Sequence, residues 1–82
     1  MNKTLRLEII TPEGKLFAGQ VRMVIARATT GEMGVLPGHA PLITLLDSRP
    51  VRLLTGEGEQ QLMVQGGVMQ VNPELVTIIT GS

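Results

Sequence analysis

The sequence predicts an all-β fold, two sheets of short strands packed as a sandwich, on three observations. Thr4-Leu5-Arg6-Leu7-Glu8-Ile9 alternates without error, so Leu5, Leu7 and Ile9 share one face and Thr4, Arg6 and Glu8 the other. Ten glycines and five prolines cut the 82 residues into stretches that suit strands better than helices. Several apolar runs with turn signals between them then give two sheets that bury their apolar faces on each other.

Each element follows in order. Thr11-Pro12-Glu13-Gly14 places proline where a type I turn needs its fixed φ and glycine at the last position, which reverses the chain into Lys15-Leu16-Phe17. From Gln20 to Thr30 two periods compete: Val21, Val24, Ile25 and Ala28 have helical spacing, Val21, Met23 and Ile25 strand spacing. β-Branched content and missing caps favour a strand. Gly34, Pro37, Gly38 and Pro41 restrict the backbone between Gly31 and Thr44, so an ordered loop is expected there, anchored by Leu36 and Leu42. Turn chemistry explains every residue of that loop except His39. Val51–Thr55, the Gly56-Glu57-Gly58 turn and Gln60–Val64 predict a second hairpin. Gly67–Val71 and Leu75–Ile79 flank Asn72-Pro73-Glu74, a further turn with proline at its first central position. The strands near Val24–Ala28 and Val76–Ile79 are apolar on both faces, so they are expected to be central or covered from outside the domain.

Length and composition narrow the function. The chain suits one domain, residues 1–82, whose core buries only about 60–65% of the unfolded surface, so docking on a partner would add stability. The stretch from Met1 to Arg6 has no apolar run of the kind a signal peptide or membrane helix needs, and a soluble chain is expected. Seven basic against seven acidic residues, with Phe17 as the sole aromatic, argue against nucleic acid: there is no basic surplus and no stacking platform. With no cysteine and one histidine, His39, a metal site would need scattered carboxylates, and none is expected. A Ser/His/Asp set would draw on Ser48, His39 and Asp47, but adjacent residues of an extended chain point to opposite sides. No glycine precedes the Lys-Ser/Thr step of a phosphate loop. Neither catalysis nor a cofactor is expected.

The stretch Gly31-Glu32-Met33-Gly34-Val35-Leu36-Pro37-Gly38-His39-Ala40-Pro41-Leu42-Ile43-Thr44 resembles the signature GExGxxPGHAPLxT of the epsilon subunit of rotary F-type ATP synthases. Gly66–Pro73 with Val76-Thr77 is similar to that family's later GGxxxVxP…VT stretch, and Leu7–Gly14 to its opening strand and turn. The resemblance runs through the whole chain in order. It implies a flattened β-sandwich of about ten short strands at the foot of the central stalk, bound to the gamma subunit and touching the polar loops of the c-ring. The implied role is non-catalytic: to couple proton or sodium ion flow to ATP synthesis or hydrolysis. The implied place is the cytoplasmic side of a bacterial inner membrane or its organellar equivalent, peripheral through the complex, with no membrane insertion and no functional homo-oligomer.

By the same resemblance Glu32 and His39 fall near the c-ring and gamma, which makes both interface residues. Where the family has a kPG turn after its HAPLxT strand, this chain reads Asp47-Ser48-Arg49-Pro50, which adds Asp47 and Arg49 to the expected partner interface. Arg22 and Arg27 are either solvated strand ends or salt-bridge donors to gamma. After Asn72-Pro73 only one strand and Gly81-Ser82 follow, so these 82 residues are not expected to hold the family's two-helix C-terminal arm, the brake on ATP hydrolysis. Either the natural protein lacks it or the chain was trimmed, and the chain as given should couple without latching. The alternative is a lipoyl- or biotinyl-type carrier domain with Lys15 at an exposed hairpin tip, although Gly14 stands where such a lysine is preceded by Met or Asp. An unrelated β-sandwich that binds another protein is a third reading.

Overall fold

A computed structural model describes residues 3–81, and every regular element in them is a β-strand. In chain order these are β1 (Leu5–Thr11), β2 (Gly14–Val21), β3 (Met23–Ala28), β4 (Gly31–Val35), β5 (Leu42–Leu46), β6 (Pro50–Thr55), β7 (Gly58–Met63), β8 (Gly67–Val71) and β9 (Leu75–Ile79). Nine described strands thus stand where about ten were expected, and the stretch with two competing periods is divided between β2 and β3.

Hydrogen-bonded neighbours follow the order β2-β1-β9-β8-β5-β3-β6-β7, with β4 added on β3. β3 and β5 share one registered pair, Ala28 with Leu46, and at that corner the sheet folds over into two layers. The first layer is β2-β1-β9-β8-β5 and the second β4-β3-β6-β7. Period-two alternation aims Leu5, Leu7, Ile9, Met69, Val71, Val76 and Ile78 inward from the first layer. They meet Val24, Ala26, Val35, Val51 and Leu53 from the second. The shortest extent, 17 Å, fits two such layers about 10 Å apart.

β9 lies between β1 and β8, the central place its apolar sequence required, and it runs parallel to β1 with Leu7 opposite Val76 and Ile9 opposite Ile78. The two hairpins form as expected, Thr11 pairing Gly14 and Thr55 pairing Gly58. In both, the threonine hydroxyl accepts the N–H of the second turn residue, Glu13 at 3.3 Å and Glu57 at 3.2 Å.

The signature stretch departs from expectation. Its two ends are strands, β4 and β5, which leaves only residues 36–41 as loop. Leu42 packs against the core, but Leu36 is 55% exposed and anchors nothing. Backbone hydrogen bonds hold the loop instead: Gly38 N–H donates to Pro73 O at 2.8 Å and His39 N–H to Leu36 O at 3.1 Å. Their donors take over the anchoring that the apolar side chain was expected to supply.

Candidate functional site

Each layer also has an outward face, and the two faces differ in chemistry. On the first layer the register sets Leu45 beside Val68, Val68 beside Ile79, and Ile79 beside Ile10, an apolar row across four strands. Ile43 leads the next row. Ile43 is 70% exposed, Leu45 59% and Ile79 57%, and no described element lies over them. A sheet face in water is normally polar, so a contiguous apolar strip of this kind marks a contact surface. Charge bounds it on the β1–β2 side, where Arg6 Nε donates to Glu8 at 2.9 Å and Lys15 Nζ lies 3.6 Å from the same carboxylate. The Arg6 hydrogen bond, with the Lys15 charge behind it, holds the Glu8 carboxyl below its ordinary range.

The outward face of the second layer is polar and indented. A recess of about 220 Å³ is lined by Ile25, Arg27, Glu32, Arg49, Pro50, Arg52 and Gln61. Arg27 stands opposite Glu32 in the β3–β4 register, and Ile25 opposite Arg52 in the β3–β6 register. Arg52 donates twice to Glu59, from Nε and Nη2, both at 2.9 Å. That pairing, helped by Gln61 Nε2 at 3.3 Å, pulls the Glu59 carboxyl down to about 2 and pushes the Arg52 guanidinium further up.

The four candidate interface residues divide between two places. Glu32 and Arg49 both line the recess, and Asp47 reaches its rim through the main chain: Asp47 N–H donates to Arg27 O at 2.9 Å, and Arg49 N–H to Asp47 O at 2.9 Å. The Asp47–Pro50 segment is therefore an ordered turn at the β3–β5 corner. Asp47 and Arg49 are not ion-paired with each other; the described ion pairs are Arg6–Glu8, Lys15–Glu8 and Arg52–Glu59. His39 lies at the other end of β5, on the loop held to Pro73, with ring Nδ1 2.7 Å from the Ala40 carbonyl oxygen. β5 thus separates His39 from Ser48 and Asp47, and no Ser/His/Asp set is assembled. Lys15 is the second residue of β2 rather than a hairpin tip, which removes the carrier-domain lysine from the place that reading required. Arg22 and Arg27 are both solvent-exposed.

Sequence reasoning missed most of the apolar strip. Its signal was Leu42-Ile43-Thr44-Leu45-Leu46, which is apolar at both parities just as Val76–Ile79 is, so β5 had one more apolar face than a half-buried strand uses.

Fold and surface together define a small β-sandwich domain with one unpartnered apolar face and one arginine-lined recess. The family described as the beta-sandwich domain of the ATP synthase Delta/Epsilon chain matches residues 4–82, and the chain belongs to that family. The ATP synthase epsilon chain of Alkalihalophilus pseudofirmus is 45% identical over 76 residues, covering 93% of this chain and 57% of the relative. That of Psychrobacter cryohalolentis is 44% identical over 77 residues, covering 93% and 56%. In the structure of the Euglena gracilis mitochondrial ATP synthase, with OSCP, F1 and c-ring, one chain superposes with a TM-score of 0.89 at 26% identity, over 96% of this chain and 51% of that one. A chain of the Tetrahymena thermophila mitochondrial ATP synthase central stalk and c-ring shares the fold, with a TM-score of 0.80 at 10% identity, over 99% of this chain and 66% of that one. This chain therefore spans about half the length of the relatives it matches.

Proposed function

We propose that residues 1–82 act as a single domain in the rotor of an F-type ATP synthase, docking on the gamma subunit and the c-ring and holding them in register. The domain couples proton or sodium ion flow to ATP synthesis or hydrolysis without catalysing either. The observation that carries this reading is the strip of Ile43, Leu45 and Ile79, more than half exposed on an ordered sheet that no described residue covers. Burying such a strip on a partner removes apolar surface from water, and a domain with so small a core gains stability by it. The relatives at 44–45% identity, all epsilon chains, supply the identity of the partner complex.

The strip serves gamma. Glu32, Asp47 and Arg49, gathered at the β3–β5 corner, serve the polar loops of the c-ring, and His39 stiffens the loop at the far end of β5 where the gamma contact ends. These contacts hold the domain at the cytoplasmic side of the membrane. Affinity for a purified gamma–c-ring assembly tests the assignment: Ile43→Ser with Leu45→Ser should weaken it at least about tenfold, because two apolar side chains leave the contact. Glu32→Ala with His39→Ala probes the polar contacts at the two ends of β5 together and should also weaken affinity. Unchanged affinity in a folded Ile43/Leu45 variant would remove the strip from the interface.

A further inference from the structure

The arginine-lined recess lies on the second layer, away from the apolar strip, and docking of gamma through that strip leaves it open, while the proposed c-ring contact draws on Glu32 and Arg49 of its lining. Three arginines, Arg27, Arg49 and Arg52, are among the residues that line its 220 Å³ or so. Two carboxylates stand against them, Glu32 within the recess and Glu59 on Arg52, with Asp47 at the rim. Arg52 is fixed by its two bonds to Glu59. Arg27 and Arg49 have no described carboxylate within the 4.0 Å of an ion pair. Each guanidinium carries five N–H donors in a planar fork suited to oxyanions. The three arginines come from three elements, β3, the 47–50 turn and β6, so a tetrahedral phosphate, with oxygens to offer several donors at once, suits the recess better than a carboxylate with two coplanar oxygens. Ile25 and Pro50 supply an apolar wall, which strengthens charge-assisted hydrogen bonds beside it.

We propose that this recess binds a phosphate group, with Arg27 and Arg49 as its ligands and Arg52, steadied by Glu59, as the third positive wall. Glu32 sets the affinity by withholding one unit of charge. The phosphate comes either from free inorganic phosphate or from the headgroup of an anionic lipid. The proposal rests on the recess and shares Glu32 and Arg49 with the c-ring contact of the rotor reading, but its test uses the free chain, so the two readings fail separately.

The test is a nuclear magnetic resonance titration of the intact chain, following backbone amides and arginine Nε–H signals, with inorganic phosphate against sodium chloride at matched ionic strength. Saturable shifts at Arg27, Glu32, Arg49 and Arg52 are expected with phosphate only. Arg49→Gln should weaken binding about tenfold or more, the worth of a charge-assisted hydrogen bond. Glu32→Gln should tighten it about two- to fivefold, which a purely structural role would not do. A second arm measures co-sedimentation with phosphatidylglycerol vesicles and with phosphatidylcholine vesicles. Binding to the first alone, lost in Arg27→Gln with Arg49→Gln, assigns the site to lipid phosphate, and saturable phosphate binding without vesicle preference assigns it to the free anion. Shifts equal to those with chloride and no vesicle preference would overturn the proposal, as would binding in either arm that survives the double substitution. Arg27 and Arg49 are exposed, so the variants keep the fold, which the unshifted amides of the first layer will confirm.

Discussion

Gly67→Ala should be the most damaging single-methyl change in the molecule. Gly67 opens β8 with φ at 118°, a region that L residues rarely enter. A Cβ there would stand 2.0 Å from the carbonyl oxygen of Ile79 and 3.0 Å from both Ile79 C and Thr80 Cα. These are backbone atoms, so relief requires β8 and β9 to part. Parting them also breaks what Thr80 holds: its N–H donates to Ile10 O at 2.9 Å and its hydroxyl accepts from Gln65 N–H at 2.8 Å. Backbone strain of about 1–3 kcal/mol plus overpacking of about 1–3 kcal/mol gives a loss of roughly 2–6 kcal/mol. A domain of this size has about 4–12 kcal/mol in all, and each kcal/mol lowers Tm by about 4–8 °C, so a fall of at least about 8 °C is expected. Gly38→Ala is the control, since Gly38 has φ at 86° with nothing within 4 Å of an added Cβ. It should lose only the dihedral term, about 1–2 kcal/mol. Thermal unfolding followed by circular dichroism reads both. A Gly67→Ala midpoint within about 3 °C of the parent, or above that of Gly38→Ala, would refute the reasoning.

Other outcomes follow from the same contacts. Leu7→Ala, at a fully buried position on β1, should cost about 2–5 kcal/mol in chemical denaturation. Ile43→Ser with Leu45→Ser should shift stability by less than about 1 kcal/mol in the isolated chain, because both side chains are already in water. The Glu59 carboxyl should titrate at about 2, and Arg52→Ala should move its midpoint up toward the ordinary glutamate value, as side-chain resonances in an acid titration will show. Since folding lowers that value, the pair's contribution to stability is present above the ordinary glutamate range near pH 4.5 and is lost as pH falls toward about 2. The far-ultraviolet spectrum of the chain alone should be that of a strand-only protein.

The sandwich was legible because period-two alternation and turn chemistry are local. Leu5, Leu7 and Ile9 point inward as their spacing required, and the Pro12-Glu13 reversal forms where proline and glycine placed it. The site was legible in part. Val76–Ile79 carried its apolar excess openly, but the partnership of Ile79 with Leu45 depends on a register that joins residues far apart in the chain. The same is true of the recess, where Arg27, Arg49 and Arg52 meet only because β3 is paired on β6 beside the 47–50 turn. Leu36 departs from its expected anchoring role because the backbone N–H groups of Gly38 and His39 hold the loop, a pairing that local apolar character does not encode.

The central claim, that the apolar face of the first layer is the surface buried in the rotor, can be measured by cysteine labelling, because the chain has no cysteine of its own. Ile43→Cys and Glu57→Cys would each be reacted with a maleimide, alone and after assembly with gamma and the c-ring. In the free chain both thiols should react at similar rates, since both positions are exposed. On assembly the rate at position 43 should fall at least about tenfold, as expected of a fully buried interface core, while that on the β6–β7 turn stays as it was. An unchanged rate at position 43 in the assembled complex would show that the rotor does not cover this face, and the account would be contradicted at its centre.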